Sequence, residues 1–235
     1  MKTIGIIQPS YLPWRGFFDF IHEVDVFVFL DDVQYTTRDW RSRNKIKTKD
    51  GKTIWLSVPI TGGRHQLIKD VQIDYSTPWV KKHLNSLQHN YAKTDYFDLY
   101  YPKIKHLLYA NFSSLSHLDI ALTTKIAELL GITTEFMRAS ELNTTGSKDD
   151  KLVEIVKRLD GNSYLSGPAA RNYLRPELWK EAGILLAYKD YSGYPQYQQI
   201  SEPFEPNVSV LDLLFSTGTQ APEYIWGKFR NRRNF

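Results

Sequence analysis

The chain has 235 residues, of which 42% are hydrophobic and 24% charged, ordinary globular values that allow a core of usual size. It contains no cysteine, which excludes disulfides and thiolate chemistry and fits a reducing compartment. The net charge of +4 leaves nucleic acid, nucleotide and acidic membrane surface open as partners, and no apolar run approaches the roughly 20 residues of a membrane span.

The opening MKTIGIIQPS is too polar for a signal peptide, so the expectation is a soluble cytoplasmic protein. Ile4 to Ile7 predicts a buried strand, stopped by Gln8, Pro9 and Ser10. Pro13-Trp14-Arg15-Gly16 is a turn that no helix interior accepts, and Phe17 to His22 predicts a helix starting near Gly16. Val24 to Leu30 is a second apolar run, ending in Asp31 and Asp32. Strand, loop, helix and strand make a βαβ unit, and near-continuous apolar strands suit a parallel sheet covered on both faces.

Asp50-Gly51 signals a hairpin between a basic segment and a strand at Thr53 to Ile60. If Arg41 to Lys49 is extended, Arg41, Arg43, Lys45, Lys47 and Lys49 share one face. That face reads either as a basic ribbon bordering a site or as a solvated edge strand. Gly62-Gly63 beside Arg64 is a turn that could hold an anion. Three helices then follow without strands between them. The first has Thr77 as N-cap and Pro78 in first position and runs to about Tyr91; the second covers Tyr96 to Tyr109; the third, Leu115 to Leu130, is stopped by Gly131. They read as an insertion at about 77–131. Their histidines, His83, His89, His106 and His117, lack metal-ligand spacing and read as surface or cap residues.

Alternation then resumes: strand Glu135 to Ser140, helix Asp149 to Leu159, strand Ser163 to Leu165, helix Pro176 to Ala182 and strand Ile184 to Tyr188. A short helix at Ser209 to Phe215 precedes a loosely held basic tail over about 219–235. The whole predicts a single α/β domain, residues 1–235, with a parallel-sheet core and the helical insertion beside it.

Ligands of parallel sheets sit at the carboxyl ends of the strands. Here Gln8, Ser10, Tyr11, Trp14, Arg15 and Gly16 follow the first strand, and Asp31 and Asp32 end the second. The two carboxylates could hold Mg²⁺, act as a general base or simply cap a turn. Arg38 and Arg43 suit fork-like contacts with phosphate, with Asn44 beside them. Thr144-Thr145-Gly146-Ser147-Lys148 offers N–H groups, hydroxyls and Lys148 to a phosphate, and reads equally as a helix cap. Neither a Walker A loop nor G-x-G-x-x-G is present. Ser166, Gly167 and Asn172 could bind hydroxyl groups; Ser166 as a nucleophile is disfavoured, because G-x-S-x-G is missing.

IIQPSYLPWRGFFDFI followed by DVFVFLDDVQYTTRDWRSRNKIK resembles the WbqC-like protein family of bacteria, as do the later YLSGPAARNYL and SVLDLLFSTG. The resemblance runs from Ile4 to about Gly218 and implies a setting among surface-polysaccharide, often O-antigen, genes. At the level of fold, the opening resembles the nucleotidylyltransferase and pantothenate-synthetase superfamily. There a H-x-G-H turn binds ATP phosphates. Trp14-Arg15-Gly16-Phe17 would occupy that turn, with the glycine matched and both histidines missing.

The expected function is modification of a nucleotide-activated amino sugar, by acyl or aminoacyl transfer to its amine. Gln8, Tyr11 and Trp14 would hold the nucleotide or sugar, and Arg15, Arg38 and Arg43 the phosphate. Asp31 or Asp32 would take the amine proton, and Ser166 and Asn172 would orient hydroxyls. A second reading is an ATP-dependent ligase or nucleotidyltransferase, which brings in ATP and Mg²⁺. A third is a non-catalytic nucleotide or nucleic-acid binder, suggested by RSRNKIKTK. Common to the enzymatic readings is one hollow for a phosphorylated small molecule, shared by Gln8, Asp32, Arg43 and Ser166.

Overall fold

The computed structural model describes residues 1–63 and 65–227; Arg64 and the basic end from 228 onward, both singled out in the sequence, lie outside the described residues. β1 (Thr3–Ile7), α1 (Arg15–Glu23) and β2 (Val26–Phe29) form the opening βαβ unit. The chain then leaves the main sheet. It makes a hairpin of β3 (Arg43–Lys47) and β4 (Thr53–Ser57), a two-residue pair of β5 (Ile60–Thr61) and β6 (Gln72–Ile73), and three helices, α2 (Trp79–Tyr91), α3 (Phe97–Leu108) and α4 (Leu115–Leu129). It returns through β7 (Glu135–Arg138), α5 (Lys148–Arg158), β8 (Ser163–Ser166), α6 (Pro176–Glu181) and β9 (Leu185–Tyr188). A turn-rich stretch leads to α7 (Val210–Thr217), capped by the Ser209 hydroxyl, which accepts from Leu211 N–H.

The five main strands are all parallel and lie in the order β7-β2-β1-β8-β9. Strand order therefore reverses between β1 and β8, the switch point at which doubly wound sheets open a crevice. Side-chain alternation divides the core accordingly. Ile4, Ile6, Val26 and Val28 pack with Val153 and Val156 of α5 and Trp179 of α6. Phe27 and Phe29 pack with Phe17, Phe18, Phe20 and Ile21 of α1, in the cluster that also includes α2, α3, α4 and α7. Gly5 lets α1 approach this closely, since a Cβ there would meet Phe20 Cε1 at 2.5 Å. Each buried phenylalanine of α1 contributes roughly 1.5–3 kcal/mol by leaving water.

Several expectations change. The excursion from the sheet begins directly after β2, and so includes the hairpin as well as the three helices. The strand expected to reach Ile60 stops at Ser57; Pro59, which has no N–H, separates it from β5. Pro78, at ψ 51°, lies outside the helical region, so α2 starts at Trp79 and has no side-chain cap from Thr77. His83 is buried, not a surface or cap residue. The first part of the supposed loose tail is packed: Ala221 and Ile225 are buried, and Trp226 stacks on His22 with ring centroids 4.0 Å apart.

Candidate functional site

The carboxyl edge of the sheet brings together the loops after β1, β2, β7 and β8. Leu30 N–H donates to Ile7 O at 2.9 Å, so the chain after β2 runs beside Gln8. Asp31 and Asp32 point to different partners. Asp31 is fully buried; its carboxylate accepts from Ser140 N–H at 2.9 Å and Ser140 Oγ–H at 2.8 Å. It fastens the end of β2 to the turn after β7, which assigns it a structural role rather than the catalytic one considered above. Asp32 instead accepts from Lys151 Nζ at 2.8 Å through Oδ2, with only 12% of its side chain exposed. Its Oδ1 is buried without a hydrogen-bond partner among the described residues, as is Gln8 Oε1.

A cleft of about 540 Å³ opens at the switch point, a size suited to a small ligand. Ile7 and Ser10 enter it from the loop after β1, and Pro13, Trp14 and Phe17 from the turn into α1. Trp40 and Asn44 close it from the hairpin side; Ala169, Tyr191 and Asn207 come from the loops after β8, after β9 and before α7. The Trp14 ring meets Tyr191 edge-on at 5.2 Å and folds over Gly16, where a Cβ would lie 2.3 Å from Trp14 Cζ2. Asn44 is positioned by its own bonds: Nδ2 donates to Leu12 O at 2.7 Å, and Oδ1 accepts from Lys45 N–H at 2.7 Å. Two further hollows, of about 440 and 590 Å³, flank Lys49 and Asn90, and neither is lined by a main-sheet strand.

Other expected site residues lie elsewhere. Arg15 is turned inward: Nη1 donates to Pro195 O at 2.8 Å and Tyr224 O at 3.2 Å, and the guanidinium lies 4.9 Å from the Tyr194 ring centre. Burial lowers its pKa, and it clamps two late segments onto α1 rather than facing a phosphate. Tyr11 is buried away from the cleft, and its hydroxyl donates to His83 Nδ1 at 2.9 Å. Burial raises the Tyr11 pKa well above the usual phenol value. The Thr144–Lys148 loop has committed two of its N–H groups, since Thr145 and Gly146 donate to Glu154 at 3.0 and 3.1 Å. Those bonds lower the Glu154 pKa and leave exposed Lys148 outside any phosphate cradle. Ser166 is buried, with Oγ 3.4 Å from the Tyr164 hydroxyl; Gly167 leads into the turn that supplies Ala169, and Asn172 is exposed at its end. Arg38 is exposed, and its carbonyl accepts from Arg43 Nη2 at 2.5 Å.

Ser10, Trp14 and Asn44 thus share one cleft, whereas Gln8, Asp32, Arg43 and Ser166, expected to share a hollow, are not among the residues that line it. Trp40, Lys151, Ala169, Tyr191 and Asn207 were missed. Only Trp40 and Lys151 carried a sequence signal, Trp40 by its place between Arg38 and Asn44, and Lys151 by lying one helical turn beyond Lys148. Among the described residues, no group of three or more His, Cys, Asp or Glu side chains is arranged to hold a metal ion, and no helix is long and apolar enough to cross a membrane.

Comparison with known proteins adds sequence relationship to this geometry. Residues 8–224 match the model of the WbqC-like protein family. The chain is 39% identical over 228 residues to an uncharacterized protein, Rv1507c, of Mycobacterium tuberculosis, covering 96% of this chain and 98% of the relative. No solved structure matches significantly.

Proposed function

The chain belongs to the WbqC-like protein family, and on that premise we propose that it is an enzyme of surface-polysaccharide assembly that transfers an acyl or aminoacyl group to a nucleotide-activated amino sugar. The observation that carries this reading is the cleft at the reversal of strand order, walled by Trp14, Trp40 and Tyr191 and supplied with an amide by Asn207. Aromatic walls pack against the apolar faces of a sugar, and amides hydrogen-bond its hydroxyls. The lining has no cation or carboxylate, which suits the sugar better than its phosphates.

In the proposed step the sugar amine attacks the carbonyl carbon of the acyl donor. The donor's leaving group departs with the bonding electrons, and Asp32 takes the amine proton. Lys151 holds Asp32 through one oxygen; the other accepts no hydrogen bond among the described residues but is buried outside the cleft lining, so the step requires the loop after β2 to open. Replacing Asp32 by Asn should lower turnover of the folded protein roughly 10²–10⁴-fold, with a lowered melting temperature because Lys151 loses its buried partner. Unchanged turnover would remove Asp32 from the mechanism.

The ATP-using reading has the sheet order in its favour. Against it, the Trp14 ring covers Gly16, and Arg15 is committed to backbone carbonyls. Pyrophosphate release that depends on both ATP and the amino sugar would establish it over acyl transfer.

A further inference from the structure

We propose that the outer face of the β3–β4 hairpin is the nucleotide half of this site, with Trp40 and Trp55 as the stacking surface for a base and Arg43 and Lys45 as the cations for its diphosphate. The inference rests on the cleft reading above and extends it outward.

Trp40 and Trp55 are 50% and 43% exposed, although every other described tryptophan is at least partly buried. Their ring centroids are 5.5 Å apart. Trp40 is also a wall of the cleft, so the pair continues the aromatic lining onto the surface. Arg43 and Lys45 flank Asn44 in sequence and alternate with it along β3. Asn44 faces the cleft, while the Arg43 guanidinium and Lys45 Nζ lie 4.3 and 5.1 Å from the Trp55 ring centre. Neighbouring Arg41 and Lys52 are spent on Asp39 and Asp50. Arg43 and Lys45 make no ion pair among the described residues, and Arg43 keeps one arm of its guanidinium on the Arg38 carbonyl.

Exposed indole faces accept any base, and an arginine fork beside them matches phosphate oxygens. The arrangement offers the groups a nucleoside diphosphate sugar requires: an uncharged cleft, and outside it two cations grouped with a half-exposed indole pair. A single-stranded nucleic acid would use the same chemistry over a longer track. Here the ribbon is cut short, because Lys47 is buried and bonded to Pro203 O.

The test is calorimetric titration of the full chain with UDP, GDP, ADP and dTDP, their monophosphates, their sugar conjugates and a uridine oligonucleotide. Wild-type protein should bind at least one nucleoside diphosphate, and its monophosphate more weakly. Trp40→Ala, Trp55→Ala and the double change Arg43→Gln with Lys45→Gln should each weaken that binding tenfold or more, with melting temperatures unchanged. Equal affinity in all variants, or tighter binding of the oligonucleotide, overturns the proposal. If a nucleotide sugar binds but Trp55→Ala, which lies outside the cleft lining, leaves its affinity unaltered, the hairpin inference fails and the cleft reading stands. If the diphosphates bind as expected while filling the cleft with Ala169→Trp does not weaken the sugar conjugate, the cleft reading fails and this one stands.

Discussion

Replacing His83 by glutamine should remove a pH-dependent part of the stability. His83 Nε2 faces Ser57 O at 3.2 Å and must donate there, so Nδ1 is the acceptor for the Tyr11 hydroxyl. The ring is neutral in this arrangement, and burial lowers its pKa from 6.5 to about 4. An unfolded chain takes up the proton near pH 6.5, whereas the folded chain resists until about pH 4. Between those values the unfolded state binds more protons, so stability falls as the pH falls. Over the interval from pH 7.5 to pH 5, such a shift amounts to a loss of about 2 kcal/mol. Urea unfolding followed by tryptophan fluorescence at several pH values measures it. Wild type should lose about 2 kcal/mol more than His83→Gln across that interval. Parallel curves for the two proteins would refute the buried neutral ring. The tie also bears on the site, because Tyr11 anchors the loop whose Ser10 and Pro13 line the cleft.

Two other substitutions separate structural from site roles. Asp31→Ala leaves the half-buried Ser140 donors without their acceptor and should lower stability by about 1–3 kcal/mol in chemical denaturation, with the folded fraction keeping its turnover. A large turnover loss at full stability would return Asp31 to the chemistry. Gly16→Ala puts a methyl group 2.3 Å from the present position of the Trp14 ring, so the ring must leave its place in the cleft wall. Ligand affinity should fall by roughly tenfold while stability changes little, since alanine favours the helix by about 1 kcal/mol over glycine. Unaltered affinity would mean that Trp14 is not a wall of the binding site.

Periodicity made much of the architecture legible. The apolar runs of β1 and β2, the turn between them and the later βαβ units emerge from local pattern. Strand order does not: β1 pairs with β8 across some 160 residues, and nothing local encodes that neighbour. The inward turn of Arg15 was hidden for the same reason, because its carbonyl partners lie 180 and 209 residues away. Asp31 and Asp32 are chemically identical in sequence, and only their opposite projections separate the buried tie from the lysine-paired carboxylate. His83 was legible and misread. Trp79, Val80, His83, Leu84 and Leu87 share the buried face of α2, and helical spacing puts the histidine on that face.

The central claim is that the cleft at the strand-order reversal is the ligand site. Its most direct test is the thermal shift of wild type and Ala169→Trp over a panel of nucleotide sugars, since a ligand that binds only the folded form raises the melting temperature. At least one compound should stabilise wild type by several degrees and leave Ala169→Trp, whose indole occupies the cleft, unmoved. Equal stabilisation of both proteins, or of neither by any compound, would contradict the account.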